Sequence, residues 1–366
     1  MWKRVVIAAI VGWAGGVLQA EEFDFPILLP KWDHDLSFRT GAGYRDNIGL
    51  STQSPQESAF IMSAVEFILV RLPENQTQFN FFLSGEDIRF VSSSSVDKEQ
   101  TAFAQALVQT DCGSGWQVSL AAEYVYQNQV VDVSLTEPGQ APIPVEGHGI
   151  LLREGVRRDF SDKYWVSIEL PARRQLYRQP LDDYWDSGPK ITLGRSYANK
   201  SEMSVSYEIS QRAYDTEPLS RTDGTPIPDT HRKSLQQEAR LTWKHHWDTH
   251  SRWRSTTRLL ARQNEDNGSG YFDYTKLQIT EQILFRTKNW EASAEAKVAR
   301  YDYPIQTGTD LKRRRSTDLA FNFRCERRLA AFLKIFAEYD REQIYSNLEL
   351  ERYHVNTVKG GLNWTF

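Results

Sequence analysis

Hydrophobic and polar side chains alternate with a period of two through most of the chain. Leu36, Phe38, Thr40, Ala42 and Tyr44 alternate with Ser37, Arg39, Gly41, Gly43 and Arg45. Trp116, Val118, Leu120, Ala122, Tyr124 and Tyr126 alternate with Gln117, Ser119, Glu123 and Gln127. The rhythm returns at Met203, Val205, Tyr207 and Ile209, at Ala292, Ala294, Ala296 and Val298, and at Leu333, Ile335, Ala337 and Tyr339. Successive side chains of a strand point to opposite faces, so this pattern predicts strands with one apolar and one polar face.

The connections alternate as well. Tight polar turns such as Pro73-Glu74-Asn75-Gln76, Cys112-Gly113-Ser114-Gly115 and Thr287-Lys288-Asn289 are followed, one strand later, by longer segments rich in Asp, Ser, Gly and Pro. The count comes to about sixteen strands joined by about seven short turns and about eight long loops, the arrangement of a transmembrane barrel. The fold expected is all-β: a closed antiparallel transmembrane β-barrel with short periplasmic turns and long extracellular loops. Hydrocarbon offers backbone groups no hydrogen-bond partner, so a sheet in a bilayer must close on itself. A secreted β-sandwich or propeller would alternate too and is the soluble alternative.

The first twenty residues break the pattern. Lys3 and Arg4 precede an apolar stretch from Val5 to Leu18, and Ala20 precedes Glu21 and Glu22. This reads as a signal peptide over 1–20, followed by an N-terminal periplasmic segment over 21–34 and a barrel over 35–366. No later run is long and apolar enough for a membrane helix. With 44 Lys and Arg against 48 Asp and Glu, the chain is mildly acidic, which argues against nucleic acid as a partner. Cys112 and Cys325 lie about six strands apart at the short-turn rim, too far for a disulfide.

Parity on the strands collects one basic face. Arg252, Arg254, Arg258 and Arg262 share it, with Arg240 and Lys244 before them and Lys276 and Arg286 after. All eight are expected to line the lumen, either as a wall that attracts anions or in pairs with Glu238, Glu291, Glu295 and Asp318. Tyr44, Tyr126, Tyr214, Trp243, Trp253, Tyr301, Tyr339 and Trp364 are expected outside, in the two interfacial girdles. Glu154, Arg195 and Glu281 fall on the outward face, where charge is unexpected; a rim position or a register slip would account for them. His246 and His250 share a short turn that could approach a metal or stand as a plain polar turn, Asn264 to Gly270 does not fit calcium-loop spacing, and no Ser–His or Asp–His spacing suggests catalysis. No cofactor and no enzyme activity are expected.

The chain ends on a patterned strand in which Lys359, Gly361, Trp364 and Phe366 form polar-x-Gly-x-x-aromatic-x-aromatic. Here the sequence resembles the bacterial outer-membrane β-barrel families, and the resemblance implies recognition of this strand by the barrel-assembly machinery. Gly43-Tyr44-Arg45-Asp46-Asn47-Ile48, Gln211-Arg212-Ala213-Tyr214-Asp215 and residues 264–274 further resemble porin-like proteins associated with exopolysaccharide systems. The function expected is a porin-like passive channel in outer-membrane lipid for small anionic solutes or glycans. A non-conducting accessory or surface-binding barrel of an exopolysaccharide secretion system is the alternative.

Overall fold

The computed structural model describes residues 32–366 apart from 75, 93–95, 135–141, 179 and 198–199. The signal-peptide reading of 1–20 and most of the segment over 21–34 lie outside the described residues.

The chain runs through β1 (Trp32–Arg45), β2 (Ser58–Glu74), β3 (Thr77–Phe90), β4 (Lys98–Gly113), β5 (Trp116–Val131) and β6 (Ile143–Asp159). It continues through β7 (Tyr164–Tyr177), β8 (Tyr184–Ser187), β9 (Lys190–Tyr197), β10 (Ser201–Tyr214), β11 (Lys233–His246) and β12 (Trp253–Asp266). It ends with β13 (Tyr274–Arg286), β14 (Trp290–Thr307), β15 (Arg313–Arg328), β16 (Leu333–Ser346) and β17 (Tyr353–Thr365). Trp32, Asp33 and His34 therefore already belong to the first strand.

β8 and β9 are two pieces of one position, since both pair with β7 on one side and β10 on the other. Gly188 and Pro189 separate them. Proline has no N–H for the ladder, and a Cβ on Gly188 would collide with the Ile209 carbonyl. The result is a barrel of sixteen strand positions, every neighbour antiparallel. It closes between β1 and β17, from Ser37 opposite Thr365 to Arg45 opposite Thr357. Seven short turns occupy one rim and eight longer connections the other, as the turn pattern predicted.

Closure is steric as well as hydrogen-bonded. Gly41 stands directly opposite Gly361 across the seam. A Cβ on either would strike the partner strand's backbone, and one on Gly43 would strike the Phe60 ring. These bare positions let β1 and β17 approach while Phe60 lies across the inner face.

The outer wall is apolar and uncovered. Leu120, Leu152, Leu170, Ile168, Leu193, Leu277 and Ile279 are each about half exposed, although no water-soluble fold leaves so continuous a hydrophobic surface bare. Strands of ~14 residues at ~3.3 Å rise and ~40° tilt span the ~25 Å apolar band of such barrels. Trp32, Trp116, Tyr164, Trp253 and Trp290, all exposed, open strands at the short-turn rim. This is the geometry of a surface solvated by acyl chains with aromatic rings at the boundary. Among the described residues no helix is long and apolar enough to cross a membrane.

Candidate functional site

The basic face gathers on three adjacent strands. On β11, Leu235 and Trp243 are exposed outward, so Glu238, Arg240 and Lys244 point into the lumen. On β12 and β13 the outward Trp253, Leu259, Leu277, Ile279 and Ile283 leave Arg254, Arg258, Arg262, Lys276 and Arg286 inside.

Arg252 is the exception. It precedes β12 in the short turn, where its Nε donates to the Asp248 carboxylate at 2.8 Å, and it stands more than half exposed. Its parity matches the others, but the strand starts one residue later, so the lumen wall does not include it.

Ion pairing divides the remaining seven. Glu238 accepts from Arg240 at 2.6 Å and from Arg262 at 2.5 Å, and Arg286 pairs with Glu291 at 2.6 Å. Arg258 reaches Glu295 only at 3.8 Å. Among the described residues no carboxylate lies within ion-pair distance of Lys244, Arg254 or Lys276, and Lys276 rests instead on the Tyr301 ring at 5.0 Å. Three cations without a carboxylate at ion-pair distance, although Glu202 stands cross-strand from Lys244, give this side a positive potential in a lumen walled by low-dielectric protein.

Half a circuit away, β2 to β4 face this wall with apolar side chains set among Glu66, Glu86 and Glu99. Phe60, Met62, Ala64 and Ile88 pack together on the inner face with Phe336 from β16, and Phe82 meets Phe103 at 5.9 Å between ring centres. The sequence carries a signal for this second wall. Between Ala59 and Leu72 apolar residues occupy both alternations, interrupted by Ser63, Glu66 and Arg71, so period two fades where both faces of a strand are greasy.

The long-loop mouth is narrowed from inside. Val133 and Ser134, just past β5, are buried. The Ser134 carbonyl accepts from Arg314 Nη2 at 2.6 Å, and Arg314 belongs to β15, almost opposite in strand order. Arg314 also pairs with Glu351 at 2.7 Å, donates to Gln306 at 2.7 Å and stacks on Tyr303 at 4.1 Å. A second segment folds in from between β1 and β2, where Leu50 packs with Ile344, Tyr353, Val355 and Val130 and Ile48 is fully buried. Burial raises the carboxyl of Asp132, beside Ser134, above the usual range, and does the same to Glu351 although Arg314 works against it. Beneath these segments lies a cavity of about 510 Å³ bordered by Arg45, Glu99, Asp132, Lys297, Glu342 and Lys359. At the short-turn end a second, of about 490 Å³, is bordered by Asp35, Glu66, Arg286, Glu291, Arg324 and Lys334.

The terminal strand is fully engaged. Lys359 points inward to Glu338 at 3.2 Å and Glu86 at 3.5 Å, and Trp364 packs on Phe38 at 6.0 Å between rings. The Phe366 N–H donates to the Leu36 carbonyl at 2.9 Å, leaving its ring exposed.

Two girdle assignments are corrected. Tyr301 is buried on the inner face beside Tyr274, and Tyr214 turns inward under the Arg232 guanidinium, 3.8 Å from its ring centre. Both share parity with lumen residues, Tyr301 with Lys297 and Tyr214 with Arg212. Of the outward charges, Arg195 lies two residues from its strand's end over the Tyr164 ring, and Glu281 accepts from Thr257 Oγ1 at 2.5 Å. No register slip separates them from their neighbours. In the histidine turn, His245 sits among Tyr197, Trp243 and Trp247. Among the described residues no three His, Cys, Asp or Glu side chains gather as a metal site.

No family model matches the sequence, and no curated protein matches it. Among solved structures, the chain is similar to OccAB1 of Acinetobacter baumannii, at 9% identity over 92% of this chain and 96% of that one, with a TM-score of 0.49. It is similar to an anion-selective porin from Comamonas acidovorans at 9% identity, 92% and 99% coverage and a TM-score of 0.46. It is also similar to a bacterial polysaccharide outer membrane secretin at 12% identity, 91% and 98% coverage and a TM-score of 0.44.

Proposed function

We propose that the protein is a porin-like passive channel of the bacterial outer membrane that admits small anions. The single observation that carries this is the wall of Arg240, Lys244, Arg254, Arg258, Arg262, Lys276 and Arg286 inside a closed barrel, with no carboxylate at ion-pair distance from Lys244, Arg254 or Lys276 among the described residues. An anion entering past the narrowed mouth meets donors spaced along three strands, so it can pass from one to the next without a deep well. The aromatic wall opposite favours solutes with an apolar body beside the charge. Passive conduction needs no cofactor and no catalysis.

The test is a planar-bilayer measurement of reversal potential in a salt gradient. Anion preference is expected, and Arg254→Glu with Arg258→Glu is expected to abolish or invert it. A conducting barrel whose selectivity ignores both changes would sink the proposal.

A second reading has its own support. Arg314 binds the inward loop in a fully buried network, which suits a barrel that is closed at rest. In that case the protein is a non-conducting accessory or surface-binding barrel of an exopolysaccharide system, and absence of current in the wild type decides for it. Assembly fits both readings: we propose that Lys359, Gly361, Trp364 and Phe366 are gripped by the barrel-assembly machinery before β1 covers the edge. Phe366→Ala is then expected to slow insertion in cells without altering the finished barrel.

A further inference from the structure

Four outward arginines at the short-turn rim share one construction. Arg71 lies over the Trp32 ring at 5.7 Å from its centre, Arg158 over Trp116 at 4.7 Å, Arg195 over Tyr164 at 5.4 Å and Arg327 over Trp290 at 5.2 Å. In every case the two residues are direct cross-strand partners. The aromatic is the first residue of a strand leaving the rim, and the arginine sits on the neighbour arriving there. Arg158 touches a second ring, Phe160, at 5.7 Å, and its Nε is buried without a hydrogen-bond partner. Among the described residues no carboxylate is within ion-pair distance of Arg158, Arg195 or Arg327.

Five outward arginines toward the opposite rim are built differently, each against a carboxylate, although Arg174 also lies over the ring of its cross-strand partner Trp185 at 5.4 Å. Arg89 pairs with Asp87 at 2.8 Å, Arg174 with Asp215 at 2.5 Å, Arg178 with Glu146 at 2.7 Å and Arg300 with Asp302 at 3.0 Å, and Arg315 adds a contact to Asp302 at 3.3 Å. One end of the lipid-facing wall carries these five neutralised arginines, alongside Arg313 and Arg341, which share the outward parity and have no carboxylate at ion-pair distance among the described residues. The other carries arginines whose partner is a ring face.

The difference matters because of what each partner leaves free. A carboxylate occupies the guanidinium's donors and cancels its charge. A ring held beneath the guanidinium does neither; it fixes the group at the depth where Trp and Tyr reside, with its N–H donors directed to the headgroup layer. A planar guanidinium so placed matches a phosphate diester.

We propose that Arg158, Arg195 and Arg327, with Arg71 in the same geometry, form a docking ring for anionic phospholipid headgroups in the leaflet on the short-turn side. The proposal rests on reading the outer wall as lipid-facing.

The experiment uses the full-length protein refolded into phosphatidylcholine vesicles that carry a minor fraction of brominated phosphatidylglycerol or, in parallel, brominated phosphatidylcholine. Tryptophan quenching reports which lipid is recruited, since Trp116 and Trp290 lie directly under two of the arginines. A surface arginine near an anionic headgroup is expected to give a preference of about fivefold. Arg158→Gln, Arg195→Gln and Arg327→Gln combined are expected to bring the ratio close to one. Arg89→Gln with Arg300→Gln, at the other rim, are expected to leave it unchanged. If the triple variant does not refold, the three single Gln variants replace it, each expected to remove part of the preference. Wild type that enters vesicles without preference overturns the ring, as does a preference that survives the triple variant or all three single variants, or one lost equally at the opposite rim. Wild type that stays soluble and outside the vesicles overturns the lipid-facing reading itself.

Discussion

Arg314 Nη2 donates to the Ser134 carbonyl at 2.6 Å, joining β15 to the segment that leaves β5 on nearly the opposite side of the barrel. Both residues are fully buried. Residues 132–134 therefore reach into the mouth, and the arginine is the peg that holds Ser134 there. Glu351 supplies the counter-charge and Tyr303 the flat floor.

Removing the peg has two expected consequences. Arg314→Ala strands Glu351 as a buried, uncompensated carboxylate, and breaking a buried pair in this way costs about 3–5 kcal/mol. The inward segment is also freed, so single-channel conductance should rise relative to the wild type. Urea titration in vesicles checks the first and bilayer recording the second. Conductance unchanged in a folded Arg314→Ala protein would show that the segment does not limit the opening.

The strand order, the seven turns and the parity of the basic wall were legible because a barrel in lipid enforces alternation on nearly every strand. The inward loops were not. Residues around Asp132 to Ser134 and Asn47 to Leu50 have ordinary loop composition, and what bends them inward is their distant partners, Arg314 and the Ile344–Tyr353–Val355 cluster. Arg252 shows the limit of parity at a strand end, where Asp248 in the turn captures the side chain. Tyr301 and Tyr214 show another: an aromatic near a strand end reads as girdle by type, while only its neighbours' faces reveal that it points inside.

Gly194 and Trp165 make a second test. They are register partners on β9 and β7, and a Cβ on Gly194 would overlap the indole ring, with no backbone among its nearest obstacles. Gly194→Ala is expected to destabilise the refolded barrel by about 1–3 kcal/mol through overpacking. Trp165→Leu should rescue most of that loss in the double variant. Additive effects in the cycle would disprove the contact.

Loop–loop docking at the mouth should depend on acid. Asp182 accepts from the Thr216 N–H at 2.8 Å, the Thr216 hydroxyl at 2.7 Å and the Glu217 N–H at 2.8 Å. Burial pushes this carboxyl up, but those hydrogen bonds outweigh it and hold it below the ordinary aspartate value. A depressed acid contributes stability above its unfolded pKa and loses it as pH falls through the folded one. The clasp is therefore intact at neutral pH and loosens only below about pH 4, from the ordinary value of 3.8 downward. Hydrogen exchange at the Thr216 and Glu217 amides should quicken in that window, and in Asp182→Asn at neutral pH.

The outward carboxylates separate lipid contact from protein contact. Glu154 stands between Leu120 and Leu170 on the exposed face of β6, with Leu152 and Val156 above and below it. Among the described residues it has no hydrogen-bond or ion-pair partner, whereas Glu281 has Thr257. If acyl chains cover this face, an acidic side chain there opposes insertion, by less than the cost of a lysine or arginine at the same depth. Glu154→Leu is then expected to stabilise the refolded barrel by about 1–2 kcal/mol in urea titrations from vesicles. Glu281→Leu should gain less, because Thr257 loses its acceptor. A loss of stability in Glu154→Leu would mean that something polar meets this face in the bilayer, and a second copy of the chain, detectable by crosslinking from position 154, would be the first partner to look for.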